Sequence, residues 1–259
     1  MTVPVLQTRD LGKSFLKDDR YIVALRRFDL TVEQGSFVCV LGRSGCGKST
    51  LLNLMAGLTR PSEGDICYRG TQITRPNPAV GYLTQSDTLM PWRDVRRNVE
   101  MPLEIRGSPS ADRHARADVL IDQVGLHGFG KHYPRELSGG MRRRASLARM
   151  LAGEPDTLLL DEPFAALDAH LRAEMQRLLL ALWDGSGRTV VFVTHDIDEA
   201  LVLSDRVVLL GPLGRILADL TVGLPRPRDV DDLRGDPRFA ALRKRLSAAL
   251  KDAAHDRDS

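Results

Sequence analysis

Four short apolar runs stand out along the 259-residue chain, and most end in a residue with chemistry of its own. Residues 36–42 (SFVCVLG) lead into a glycine-rich loop, and residues 156–162 (DTLLLDE) end in two carboxylates. Residues 189–195 (TVVFVTH) end in a histidine, and residues 205–211 (DRVVLLG) follow. Runs apolar at nearly every position, rather than at alternate ones, are what strands of a parallel sheet covered on both faces require. Helical patterns lie between them, over residues 49–58 (STLLNLMAGL) and 171–183 (LRAEMQRLLLALW). Strands alternating with helices predict an α/β core.

The pattern changes from about residue 86 to residue 150. Strand signals disappear there, and charged helical patterns take over, broken at residues 106–110 (RGSPS) and 133–137 (YPREL). This stretch predicts a helical subdomain inserted in the α/β core. After Gly223 a proline-broken connection, residues 224–228 (LPRPR), leads into a last helical pattern. Phe239, Leu242, Leu246 and Leu250 fall on one face of it, as packing against the chain's own body requires. The expected organisation is a main domain over residues 1–223 and a helical tail over 224–259.

Composition narrows the class. Hydrophobic residues make up 42% and charged residues 27%, ordinary for a globular protein. No apolar run approaches the roughly 20 residues of a membrane-spanning helix, so membrane contact is expected only through a partner. The first ten residues lack a basic start followed by a long apolar segment, and no secretory signal is expected. Three cysteines, Cys39, Cys46 and Cys67, show no paired spacing, which fits a reducing cytoplasm better than a disulfide frame or a zinc site. A net charge of +3 from 37 basic and 34 acidic residues gives no argument for nucleic acid. The Arg142–Arg143–Arg144 run is expected to be a solvated helix face.

The glycine loop carries the clearest chemistry. Gly42, Arg43, Ser44, Gly45, Cys46, Gly47, Lys48 and Ser49 fit G-x-x-x-x-G-K-[ST], with Thr50 following, between a strand and a helix. Glycines let backbone N–H groups wrap phosphate oxygens, and a helix N-terminus adds its positive end. Lys48 would reach the β- and γ-phosphates, and the Ser49 hydroxyl would ligate Mg²⁺. At the end of the second apolar run Asp161 would hold Mg²⁺ through water, and Glu162 would orient and partly deprotonate the attacking water. His195 could donate to a γ-phosphate oxygen or, as a lone histidine at a strand end, be structural, and Gln85 in GYLTQSD could touch Mg²⁺ or the water or be an ordinary surface glutamine. The carboxyl ends of parallel strands line one crevice, where these residues would meet. Cys46, inside the loop, has two readings: a thiol acidified by Lys48 and the helix end, or a residue that is merely small enough to fit.

The order GRSGCGKST, YLTQ, LSGGM, LLLDEPFAALD and VTHD resembles the ATPase subunit of ABC transporters over nearly the whole chain. LSGG, residues 137–140, is highly specific to that family. Residues 89–107 (LMPWRDVRRNVEMPLEIRG) and 224–229 (LPRPRD) look most like the branch serving nitrate, sulfonate or taurine importers. The resemblance implies an N-terminal antiparallel β portion beside a mainly parallel sheet. It implies a head-to-tail homodimer in which Ser138, Gly139 and Gly140 cap the other copy's ATP and Asp168 crosses the interface. Gln85 would link nucleotide to transmembrane permease subunits, at the cytoplasmic face of the cell membrane, with a solute-binding protein as an indirect partner. Phe15 in LGKSF resembles the aromatic that stacks on adenine, with Tyr21 as rival because residues 16–21 (LKDDRY) would lengthen this loop. Two positions depart from the family pattern. Met141 stands where the signature has glutamine, and Ala165 stands where the DEPFAALD turn commonly has glycine. The alternatives are a soluble ATPase of the same dimer type in DNA repair or translation, and a nucleotide-binding regulator that does not hydrolyse. One cassette without sustained heptads speaks against the first, and Glu162 with His195 against the second.

Overall fold

The computed structural model describes residues 3–165, 167–228, 233 and 235–255. Ten strands and seven α-helices follow one another among the described residues. The strands are β1 (Leu6–Lys17), β2 (Arg20–Val32), β3 (Phe37–Gly42), β4 (Glu63–Tyr68), β5 (Thr71–Gln72), β6 (Val80–Leu83), β7 (Thr157–Asp161), β8 (Thr189–Thr194), β9 (Arg206–Leu210) and β10 (Ile216–Thr221). The helices are α1 (Lys48–Met55), α2 (Val95–Ile105), α3 (Ser110–Gln123), α4 (Gly139–Ala152), α5 (Ala169–Trp183), α6 (Ile197–Leu203) and α7 (Pro237–His255).

Six strands form the central sheet in the order β10-β9-β3-β8-β7-β6, parallel except at β10. Every residue of β3, β7 and β8 is buried. Side chains alternate between the two faces. Phe37, Cys39, Leu41, Val190 and Phe192 join the core shared with α2 to α7. Val38, Val40, Val191 and Val193 join the core formed with α1 and the second sheet. Each fully buried Val, Leu or Phe contributes about 1.5–3 kcal/mol relative to exposure, and burial on both faces explains the unbroken apolar runs.

The second sheet, β2-β1-β4-β5, is antiparallel. The α/β fold with a mainly parallel sheet and an N-terminal antiparallel portion is therefore present. Residues 16–21 do not form a lengthened loop, however. Lys17 pairs with Arg20, and Asp18 and Asp19 form a two-residue turn at φ 49° and 57°. Left-handed backbone at both turn positions matches the twist of the flanking strands, so the extra residues extend the hairpin instead.

All α-helices between β6 and β7 pack on one another. Val99 and Leu103 of α2, Leu120 and Ile121 of α3, and Leu147 and Leu151 of α4 share one apolar cluster. Ser138 starts α4 by accepting from the Met141 N–H at 3.2 Å. At the far end Phe239 and Leu246 of α7 are buried, with Leu242 and Leu250 half-buried against the same core.

Candidate functional site

The glycine loop joins β3 to α1, and β3, β8 and β7 are neighbours in the sheet. Their carboxyl ends bring Gly42, His195 and the pair Asp161–Glu162 to one edge, as the crevice argument requires. Gly47 sits at φ 105°, where a Cβ would lie 2.6 Å from the Ala24 carbonyl oxygen. Only glycine fits that bend, which starts α1. No side chain caps α1, and no acidic residue lies in its first turn. Arg43, Ser44 and Gly45 before it and Ser49 in its first turn are exposed, with Thr50 half-buried one residue beyond Ser49.

Lys48 is buried, at 5% exposure. Its ammonium donates to the carbonyls of Gly42 at 2.7 Å and Arg43 at 3.0 Å, and lies 3.3 Å from Glu162 Oε1. The other Glu162 oxygen lies 2.9 Å from His195 Nδ1. Glu162 thus stands between a lysine at the start of α1 and a histidine at the end of β8. Its backbone is left-handed at φ 41°, and its N–H donates to the Val193 carbonyl at 2.9 Å. A non-glycine residue in that region carries strain of about 1–2 kcal/mol. Ala165 does not share it. Its N–H donates to the Glu162 carbonyl at 3.3 Å, and it is not among the positive-φ residues, so alanine fits this turn.

Asp161 is held from both sides. Ser49 Oγ donates to Oδ1 at 3.2 Å and Tyr82 Oη to Oδ2 at 3.3 Å. Burial pushes the Asp161 carboxyl above the usual range, the two hydroxyls pull it down, and the nearby Glu162 charge pushes it up. Asp161→Asn is therefore expected to melt at a higher temperature than the wild type near neutral pH. Because the folded-state pKa is raised, ionised Asp161 costs stability at neutral pH, and that cost fades as pH falls through the folded pKa. Thermal melts without nucleotide should show the gap narrowing toward acid pH; a gap of opposite sign would refute the assignment.

Tyr82 escaped the sequence reading, because a tyrosine inside a strand is ordinarily core. Its hydroxyl is driven far above its usual range, mainly by burial and then by the Asp161 charge. Arg143 also escaped. Far from being a solvated face, Arg143 is 3% exposed and donates to the Pro163 carbonyl at 2.7 Å and the Thr84 carbonyl at 2.6 Å. It ties the residue after Glu162 to the residue before Gln85. Arg142 reaches Asp87 and Arg144 reaches Glu174, so each arginine of the run has a partner.

Gln85 is exposed on the loop after β6. Ser138 and Gly139 are exposed at the start of α4, and Gly140 is buried against Leu171. Asp168 caps α5 by accepting from the Leu171 N–H at 3.0 Å. Phe15 pairs with Ile22 and Tyr21 with Leu16, which puts the two aromatics on opposite faces of the hairpin. The Lys13 ammonium lies 5.0 Å from the Phe15 ring centroid. The Cys46 thiol is not presented to solvent: the residue is 2% exposed, and a Cβ on Gly42 would lie 2.7 Å from its sulfur. A small side chain that fits under the loop explains Cys46 better than a reactive thiol.

The chain is similar to known ABC transporter proteins along most of its length. The family model described as ABC transporter matches residues 25–165. An uncharacterised ABC transporter ATP-binding protein of Methanocaldococcus jannaschii is 44% identical over 95% of this chain and 91% of its own length. The nitrate import ATP-binding protein NrtD of Synechococcus elongatus is 40% identical over 96% of this chain and 92% of its own. The bicarbonate transport ATP-binding protein CmpC of the same species is 43% identical over 92% of this chain and 36% of its own. Among solved structures, the ATP-binding cassette MJ0796, a dimer in a post-hydrolysis state with ADP and phosphate, superimposes with a TM-score of 0.77. It is 30% identical and covers 85% of this chain and 100% of its own. With the glycine loop, the carboxylate pair and the histidine at one sheet edge, the chain belongs to the ABC transporter family as an ATP-binding subunit that hydrolyses ATP to power transport.

Proposed function

We propose that this ATPase drives import of a small anionic solute, of the nitrate, bicarbonate, sulfonate or taurine kind, as a head-to-tail homodimer bound to transmembrane permease subunits on the cytoplasmic face of the membrane. The observation that carries the catalytic part is the placing of Glu162 between Lys48 and His195, beside Asp161 and Ser49. Backbone N–H groups of residues 43–50 wrap the phosphates, and Phe15 stacks on adenine. Lys48 leaves Glu162 for the β- and γ-phosphates, since an ammonium between a dianionic phosphoryl group and one carboxylate follows the larger charge. Glu162 Oε1 is then free to take a proton from the attacking water. His195 donates to a γ-phosphate oxygen and holds Glu162 in place.

The donor set fits Mg²⁺. A hydroxyl and a carboxylate, 3.2 Å apart, are hard oxygen ligands that face each other, and Tyr82 fixes the carboxylate's second oxygen. Ser49 and Asp161 would hold the ion, with Gln85 reaching it from its loop. Bound there, Mg²⁺ neutralises charge on the phosphate oxygens. Two helix N-termini with exposed residues, Ser49 at α1 and Ser138 with Gly139 at α4, suit one ATP held between two copies: Ser138, Gly139 and Gly140 of one cap the phosphates on the Lys48 loop of the other, and Asp168 meets the partner. The solved relative is a dimer, which supports this arrangement.

No described helix is long and apolar enough to cross a membrane. An apolar groove of about 500 Å³, lined among others by Tyr82, Leu83, Met101 and Ile105, opens beside the loop of Gln85. Asn98, fully buried, pins the loop before it by accepting from the Met90 N–H at 2.7 Å and donating to the Met90 and Arg93 carbonyls. We place the permease there. The names of the relatives, one for nitrate import and one for bicarbonate transport, support an oxyanion as solute. Reconstituting the chain with its co-purified permease and solute-binding protein in vesicles tests this. ATP-dependent uptake of labelled nitrate, bicarbonate, taurine or an alkyl sulfonate is expected; uptake of none of these, with hydrolysis intact, would overturn the solute class.

A further inference from the structure

We propose that Arg172 is a positioning residue for hydrolysis, tying the segment that ends at Asp168 to the turn that bears His195. This rests on the reading of His195 given above. Arg172 lies in the first turn of α5. Its Nη2 donates to the Leu167 carbonyl at 3.2 Å, the residue next to Asp168. The same guanidinium faces two carboxylates of the next turn: Nη1 lies 3.6 Å from Asp196 Oδ2, and Nε lies 3.7 Å from Glu199 Oε1.

Those carboxylates hold both neighbours of His195. Glu199, 5% exposed, accepts from Thr194 Oγ1 at 2.6 Å, and Thr194 Oγ1 accepts in turn from the Asp196 N–H at 3.1 Å. Asp196 Oδ1 accepts from the N–H groups of Asp198 at 2.8 Å and Glu199 at 3.1 Å, which starts α6. His195 then reaches Glu162 at 2.9 Å, and the chain runs on from Glu162 to Leu167. The contacts therefore close a ring: Leu167, Arg172, Asp196 with Glu199, Thr194, His195, Glu162.

Exposed ion pairs contribute little, but Glu199 is buried, and a buried carboxylate needs a cation facing it. Arg172 Nε is itself buried and makes no hydrogen bond. Both carboxylates stand just outside hydrogen-bond range of the guanidinium. A shift of less than about 1 Å would complete both bonds, so movement of the Asp168 segment is passed to the histidine turn through one rigid planar group.

The test is steady-state hydrolysis by Arg172→Met, Arg172→Lys, His195→Ala and the double variant Arg172→Met with His195→Ala, alongside imidazole NMR of the protein. Six histidines are present, and the His195 signal is assigned by its loss in His195→Ala. Arg172→Met is expected to lower kcat about tenfold with KM for ATP within about twofold, a range typical of coupling residues. Arg172→Lys should recover part of it, and the His195 signal should move in Arg172→Met. The double variant should be no slower than His195→Ala alone, because the two residues act through one group.

A kcat for Arg172→Met within about twofold of wild type, losses that multiply in the double variant, or an unmoved His195 signal would each overturn the proposal. Should His195→Ala hydrolyse ATP at the wild-type rate, the role given to His195 fails, and the imidazole signal alone decides whether Arg172 positions that turn. If Arg172→Met does not fold, Asp196→Asn serves instead. Asparagine keeps the cap on α6 but removes the charge facing Arg172, and the same kcat loss and signal shift are expected, with an unchanged rate and signal overturning the proposal.

Discussion

Glu162→Gln is expected to bind ATP at least as well as the wild type and to lose hydrolysis by about 10²- to 10⁴-fold, the usual contribution of a positioned general base. Glutamine keeps the shape of the side chain but takes up no proton from water. The substitution also removes the anion 3.3 Å from the Lys48 ammonium, which then has no competitor for the incoming phosphates. Binding should therefore hold or tighten while turnover stops. The variant should accumulate as an ATP-bound dimer, visible by light scattering or gel filtration, because the step that reopens the dimer is missing. Turnover near the wild-type rate would remove Glu162 from the role of base and leave it a structural link between Lys48 and His195.

The second large effect concerns the sharing of one ATP between two copies. Lys48→Ala removes the ammonium under the glycine loop and should abolish productive phosphate binding. Ser138→Arg places bulk and charge at the exposed start of α4 and loses the cap on the Met141 N–H, which costs about 1 kcal/mol of helix stability. Each variant alone should be nearly inactive. In a mixed dimer with capping in trans, one site combines both lesions, while the other combines an intact Lys48 loop with an intact Ser138 turn. Mixing should then restore ATP-dependent dimerisation and some hydrolysis. If each copy caps its own ATP, every site in every mixture carries a lesion and neither property returns. Dimerisation with a slowly hydrolysed ATP analogue is the safer readout, since coupling between sites can hide recovered turnover. Circular dichroism must show both variants folded, and exchange of a fluorescent label must show that they mix.

The local signals in the chain were enough for the α/β core with its parallel sheet and for the main chemical groups, while the antiparallel portion came only from the resemblance. Runs such as TLLL and TVVFVT are apolar at successive positions because β7 and β8 are covered on both faces, so their burial is written in their own residues. The glycine loop was legible for a related reason: Gly47 at φ 105° and Lys48 behind it are demands of backbone geometry within eight consecutive residues. Contacts between distant segments left no such trace. Arg143 looks like any arginine in a basic run, and only the packing of α4 against residues 84 and 163 makes it a buried tie between them. Tyr82 has the ordinary alternation of a strand residue; it meets Asp161 because β6 lies beside β7 in parallel register. Cys46 illustrates the reverse case. Its neighbours in sequence leave both an activated thiol and a merely small side chain open, and the turn decides for the second by folding the sulfur under Gly42, out of solvent. Hydrophobic period and backbone strain act within a few residues and are determined by the sequence itself. Which side chain completes a carboxylate, a carbonyl or a charge was decided only when the tertiary structure brought remote segments within about 3 Å, the reach of a hydrogen bond.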